Sequence, residues 1–189
     1  MKRNEPCSRS HTCQPPLSWT KAGDLSGREL LNKILDGDVS EPPICGTLGF
    51  HLVEVGEGKA AFEGHPGEHL LNPMAPCTGV LSPTLLDSAL GSAVATVLPR
   101  RRVYATMQLN DHLVRPVFAD TLALKCEAVA VHVGRTSATA QARVIGATDG
   151  KLYAHATTTC AILTPSSASQ DNDSSRSDSL REPRKDARP

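Results

Sequence analysis

Neither sign of charge prevails in this sequence: 20 Lys and Arg balance 20 Asp and Glu, so the net charge is zero. This excludes a whole-protein basic field for nucleic acid and also an acidic solvating chain. No window approaches the ~18 uninterrupted apolar residues that a membrane helix needs. The opening residues MKRNEPCSRSHTCQPP are basic but lead into no apolar h-region, so they do not read as a secretory signal. None of the six cysteines (Cys7, Cys13, Cys45, Cys77, Cys126, Cys160) forms a C-x-x-C pair, and the chain is too long to need a disulfide framework. Cys7, His11 and Cys13 supply three ligands on a Pro/Ser-rich segment, whereas structural zinc wants four fixed ones. The expectation is a soluble, cytoplasmic protein with reduced thiols, no metal, no cofactor, no nucleic acid and no membrane partner.

What remains is one domain with appendages. Residues 1–23 carry Pro6, Pro15 and Pro16 and show no periodicity. Residues 164–189 are Ser-rich and charge-mixed and hold no core-forming cluster. Such segments bury too little apolar surface to offset their ordering entropy, so both ends are expected to be disordered around a domain at 24–163.

Inside that domain, GRELLNKILDG sets Leu30, Leu31, Ile34 and Leu35 at helical spacing, with Ser26 as N-cap and Gly37 as stop. Pro42-Pro43 reads as a break. LGFHLVEVGEGKAAFEGHP reads as two strands about Gly56-Glu57-Gly58, the first with apolar residues on both faces. VYATMQLNDHLVRPV, TLALKCEAVAVHVG, RTSATAQARVIGA and LYAHATTTCAIL read as four longer strands. Between the two sets lies TLLDSALGSAVATVL, a helix apolar all round and hence buried, with small residues that let a sheet approach closely. The sum is an α+β domain, a sheet wrapped around a central helix. Its long strands leave an edge to protect, which favours dimerisation.

Asp87 interrupts that apolar helix. A carboxylate among apolar neighbours loses hydration and points to a partner or a purpose. The alternative is a helix cap ahead of Ser88, although Ser82-Pro83 offers a better start. Upstream stand Asn72, in HLLNPMAPCTG, and Gly79, whose backbone N–H near a helix N-terminus suits developing negative charge. A carboxylate, a carbonyl-polarising N–H and an amide are the parts of a hydrolytic acyl-transfer site. Asn72-Pro73 also reads simply as a turn.

From Gly49 to Leu163 the chain resembles the hotdog-fold acyl-CoA thioesterases of the phenylacetic-acid (PaaI) type. The matching pieces are GFHLVEVGEGKAAFEG, Asn72-Pro73, TLLDSALGSAV, YATMQLNDHLVRP, Gly134-Arg135-Thr136 and GKLYAHATTTCAIL, in the family's order. The resemblance implies a long helix wrapped by a curved antiparallel sheet, a homodimer or homotetramer, and metal-free hydrolysis of an acyl-CoA at a site shared between subunits. It implies that Asp87 is the catalytic base or nucleophile and that Gly79 polarises the thioester carbonyl. Asn72 would stand near that carbonyl and Thr106 would orient water. Asn72 and Gly79 would come from one subunit, Asp87 and Thr106 from the other. Gly134, Arg135 and Thr136 would lie near the CoA nucleotide, Arg135 pairing with a phosphate.

The family pattern N-P-x-G-T-x-H-G-G is here NPMAPCTGV, so Ala75, Thr78 and Val80 stand where Gly, His and Gly are expected. A second reading follows: a non-catalytic hotdog protein that binds acyl-CoA or only dimerises. The loop is either a genuine divergence or the product of two compensating single-base slips in the gene. Met74–Pro83 can be encoded ATG GCA CCG TGC ACG GGG GTG CTC TCG CCG. One G added after ATG and one removed at the end give G-T-V-H-G-G-A-L-A, which restores the motif without changing the spacing of Asn72 and Asp87. The first Gly is forced, and the codons of Cys77 and Thr78 allow only His or Tyr in the shifted frame.

Overall fold

A computed structural model describes residues 24–74, 76–77 and 79–164. Apart from Thr164, the segments expected to be disordered lie outside the described residues, as do Cys7, His11, Cys13, Ala75 and Thr78.

Helix α1 (Gly27–Leu35) begins as the sequence predicts: Ser26 accepts from the Glu29 N–H, and the Glu29 carboxylate accepts from the Ser26 N–H. Gly37 follows at φ +82°, a conformation that favours glycine. The Pro42-Pro43 break needs correcting, because Pro43 opens a short helix α2 (Pro43–Leu48) at the first helical position, where its missing N–H costs nothing.

Strands β1 (Phe50–Gly56) and β2 (Lys59–Gly64) form the expected hairpin, with Gly58 at φ +65° in the turn. In β1, Phe50 and Leu52 are buried, whereas Val53 and Val55 are only half-buried across a bulge between Leu52 and Glu54. Helix α3 (Leu81–Ala95) starts three residues before the predicted Thr84. The remaining strands are β3 (Val103–Leu113), β4 (Leu124–Val133), β5 (Ser137–Gly146) and β6 (Leu152–Leu163).

All strand pairs are antiparallel, in the order β1-β2-β4-β5-β6-β3, so β1 and β3 are the two edges. The sheet is wrapped on α3, which touches every strand. Leu85, Leu86, Ala89, Leu90, Ala93 and Val94 are fully buried there. Ala138, Ala140, Ala142 and Val144 of β5 and Ala154 and Ala156 of β6 form the facing layer, small enough for the sheet to lie close. Gly91 is required where it is, since the Tyr104 ring of β3 fills the space a Cβ would take. Cys45, Cys77, Cys126 and Cys160 are free and buried, and burial pushes the Cys45 and Cys126 thiols up to about 12. No helix among the described residues is long and apolar enough to cross a membrane.

Candidate active site

Asp87 lies in the second turn of α3, six residues past its start, so it is not a helix cap. It is half-buried, and its Oδ1 accepts a hydrogen bond from the Thr106 hydroxyl of β3 at 3.0 Å. The sheet thus brings together two residues 19 positions apart in the chain. A β-bulge immediately follows Thr106, between it and Gln108. Bulges of this kind re-aim a side chain and collect beside functional sites.

Two further residues surround the pair and do not stand out from the sequence. Tyr104 lies two residues before Thr106 on β3, and burial first, then the Asp87 charge, push its phenol up to about 12. Cys160 is the cross-strand partner of Thr106, and its thiol is pushed up mainly by burial. The signal for Tyr104 is strand alternation, which puts residues two apart on one face. The signal for Cys160 lies in strand register, which the sequence does not print.

Asn72 and Gly79 lie elsewhere in the same chain. The Asn72 side-chain oxygen accepts from the Met74 N–H at 2.7 Å, and its N–H donates to the Pro76 carbonyl at 2.9 Å. The turn reading of Asn72-Pro73 is therefore correct, and the amide NH2 is left as the available donor. Gly79 precedes the N-cap of α3, Val80, and its N–H donates to no acceptor among the described residues. Gly79 packs on Leu113 at the far end of β3. From Leu81 to Asp87 the helix alone rises about 9 Å, and from Thr106 to Leu113 the strand runs about 20 Å. Within one copy, Gly79 therefore lies more than one helical turn from Asp87 along α3 and at the opposite end of β3 from Thr106.

Gly134, Arg135 and Thr136 form the turn between β4 and β5, as expected. The Gly134 N–H donates to the Ser137 carbonyl at 2.8 Å, and the Thr136 carbonyl accepts from the Ile162 N–H at 2.9 Å. The Arg102 guanidinium donates to the Arg135 carbonyl, holding the turn against the start of β3 while the Arg135 side chain stays exposed. Thr106 pairs with Cys160, two residues from Ile162, so the turn lies at the same end of the sheet as the Asp87–Thr106 pair.

A curved antiparallel sheet wrapped around one long helix is the hotdog fold that the resemblance implies. The comparisons agree. A sequence model of the Thioesterase superfamily matches residues 77–153. Among solved structures, the chain is similar to a phenylacetic acid degradation-related protein from Ralstonia eutropha, at 27% identity and a TM-score of 0.62 over 69% of this chain and 98% of that one. It is also similar to a variant of the phenylacetic acid degradation protein PaaI from Thermus thermophilus, at 26% identity and a TM-score of 0.57 over 64% and 98%. The PaaI protein of E. coli shares the fold at 19% identity, with a TM-score of 0.62 over 74% and 96%. No curated protein matches the chain significantly. The fold is the hotdog fold, and the PaaI-type likeness read from the sequence is borne out.

Proposed function

We propose that this protein hydrolyses an acyl-CoA to the free acid and CoA at a site shared by two copies of the chain. The observation that carries the reading is the Thr106–Asp87 hydrogen bond on the helix-facing side of the edge strand β3. In the proposed mechanism, Asp87 acts as general base on water or as nucleophile, and Thr106 orients the carboxylate and the water. The Gly79 N–H of the partner subunit, with the partner subunit's Asn72 amide, stabilises the oxyanion. No metal or cofactor enters the reaction as proposed, and Arg135 with its turn takes the nucleotide end of CoA.

Strand β3 supports the shared site. Among the described residues its outer edge is open over 11 residues, and Met107 is 69% and Leu113 52% exposed. An open, mostly uncharged edge favours pairing with a second copy. Antiparallel pairing of β3 with its symmetry mate about an axis near Leu109–Asn110 places Leu113 of one copy opposite Thr106 of the other. Gly79 travels with Leu113 and so reaches Asp87. A D2 tetramer extends the same arrangement, and the buried free thiols suit a reducing cytoplasm.

The second reading, a hotdog protein that binds acyl-CoA or only dimerises, draws on one observation. Val80 caps α3 with no side-chain hydrogen bond and stands half-exposed where the resemblance expects glycine. Thiol release from a panel of acyl-CoA substrates separates the two readings. Saturable release by the purified protein is expected, and tight binding without release would replace the enzyme by the binding protein.

A further inference from the structure

We propose that His51, Glu63 and His65 form a binding site for a divalent transition-metal ion of the Zn2+ class on the outer face of the β1–β2 hairpin. His51 and Glu63 are cross-strand partners, and His65 lies two residues beyond Glu63 on the same face. The His65 N–H donates to the Gly49 carbonyl at 2.9 Å, which extends the ladder past the end of β2 and fixes its backbone. Phe50, Leu52 and Phe62, buried on the opposite face, anchor both strands from beneath.

The three side chains converge. The imidazoles stack with centroids 5.7 Å apart and planes 10° from parallel. His65 Nε2 is 3.3 Å from Glu63 Oε1, and one ligand atom from each residue lies within 4.8 Å of the others. A tetrahedral zinc site has ligand–ligand edges of about 3.3 Å. Binding an ion therefore requires the exposed His65 ring to rotate out of the stack until its nitrogen comes to that spacing.

Electrostatics keep Glu63 available. Its cross-strand neighbour on β4, Lys125, directs its ammonium instead to Glu54 at 3.5 Å and Glu127 at 3.2 Å. Among the described residues no Lys or Arg pairs with Glu63, so its charge faces the two imidazoles. Two nitrogens and one carboxylate select a borderline ion over Mg2+ or Ca2+, which want all-oxygen shells. Solvent supplies the fourth position, as at open zinc sites with three protein ligands, the three here being held on a paired hairpin. The site lies on the opposite face of the sheet from Asp87, so the ion clips the edge strand β1 to β2 and takes no part in hydrolysis.

The test uses the full chain, loaded with ZnCl2 and dialysed into metal-free buffer at about pH 7.5. A single zinc ion per chain is expected, with a melting temperature several degrees above that of the chelator-treated protein, because an ion that binds only the folded state stabilises it by mass action. His51→Ala and His65→Ala should each lose the ion and the thermal shift while keeping the far-ultraviolet spectrum and the oligomeric state. The double variant Cys7→Ser/Cys13→Ser should keep both. Absence of stoichiometric zinc, retention of it in both His variants, or its loss only in the double Cys variant would overturn the assignment.

Discussion

Replacing Asp87 with Ala lowers kcat by about 10²–10⁴-fold, the range a positioned general base supplies, while melting temperature and oligomeric state change little. Asp87 sits in the second turn of α3, so its loss removes no cap. Its hydrogen-bond donor, Thr106, lies on an exposed strand and can turn to water. Asp87→Asn keeps the shape and the Thr106 bond and loses the same activity. Thr106→Val costs less, because it removes orientation and leaves the base. Rates on the best acyl-CoA substrate, measured beside thermal melts, check the set. A large loss of stability with unchanged turnover would make Asp87 a structural residue.

The second large effect concerns the loop before α3. The variant carrying Ala75→Gly, Thr78→His and Val80→Gly should raise kcat/KM by about 10²-fold or more, the scale of one well-placed oxyanion donor. Removing the Val80 side chain frees the approach to the Gly79 N–H, and the restored imidazole completes the motif of the PaaI-type enzymes. The structure adds a mark of its own in favour of the shifted frame. Ser82 is only 6% exposed in the first turn of α3, a buried position holding a polar side chain. The shifted frame places Leu at that position, as burial demands. Sequencing the locus should show the reconstructed codons, and codons that cannot shift into G-T-V-H-G-G would contradict the frame reading.

Some of this architecture is legible because local chemistry writes it. Ser26 and Gly37 bracket α1 as capping rules require, and the last strand, LYAHATTTCAIL, reads with both ends correct since turn residues flank it. Helix α3 reads three residues late at both ends, Thr84–Leu98 against Leu81–Ala95, because the Ser-Pro pair before Thr84 looks like its start, although Pro83 sits inside the first turn at no cost. Helix α2 escapes for the same reason, Pro43 being both a breaker and a good first residue. Of the site, Asp87 stands out as a charge in an apolar run, but Thr106 comes only through resemblance. A contact between residues on a helix and on an edge strand leaves no trace in spacing. The His51–Glu63–His65 cluster is likewise invisible, because it exists only once the β1–β2 register is known.

The central claim is that each catalytic centre takes Asp87 and Thr106 from one copy and Asn72 and Gly79 from another. Mixing two inactive variants tests it directly. Asp87→Asn and Asn72→Ala subunits are each purified, combined, dissociated and reassembled, and thiol release is followed. A mixed dimer then holds one centre with both lesions and one with neither, so activity should return to about a quarter of the wild-type value per chain, the statistical share for random dimers. Activity that stays at the level of the separate variants after verified subunit exchange would place the whole site within a single copy and contradict the account.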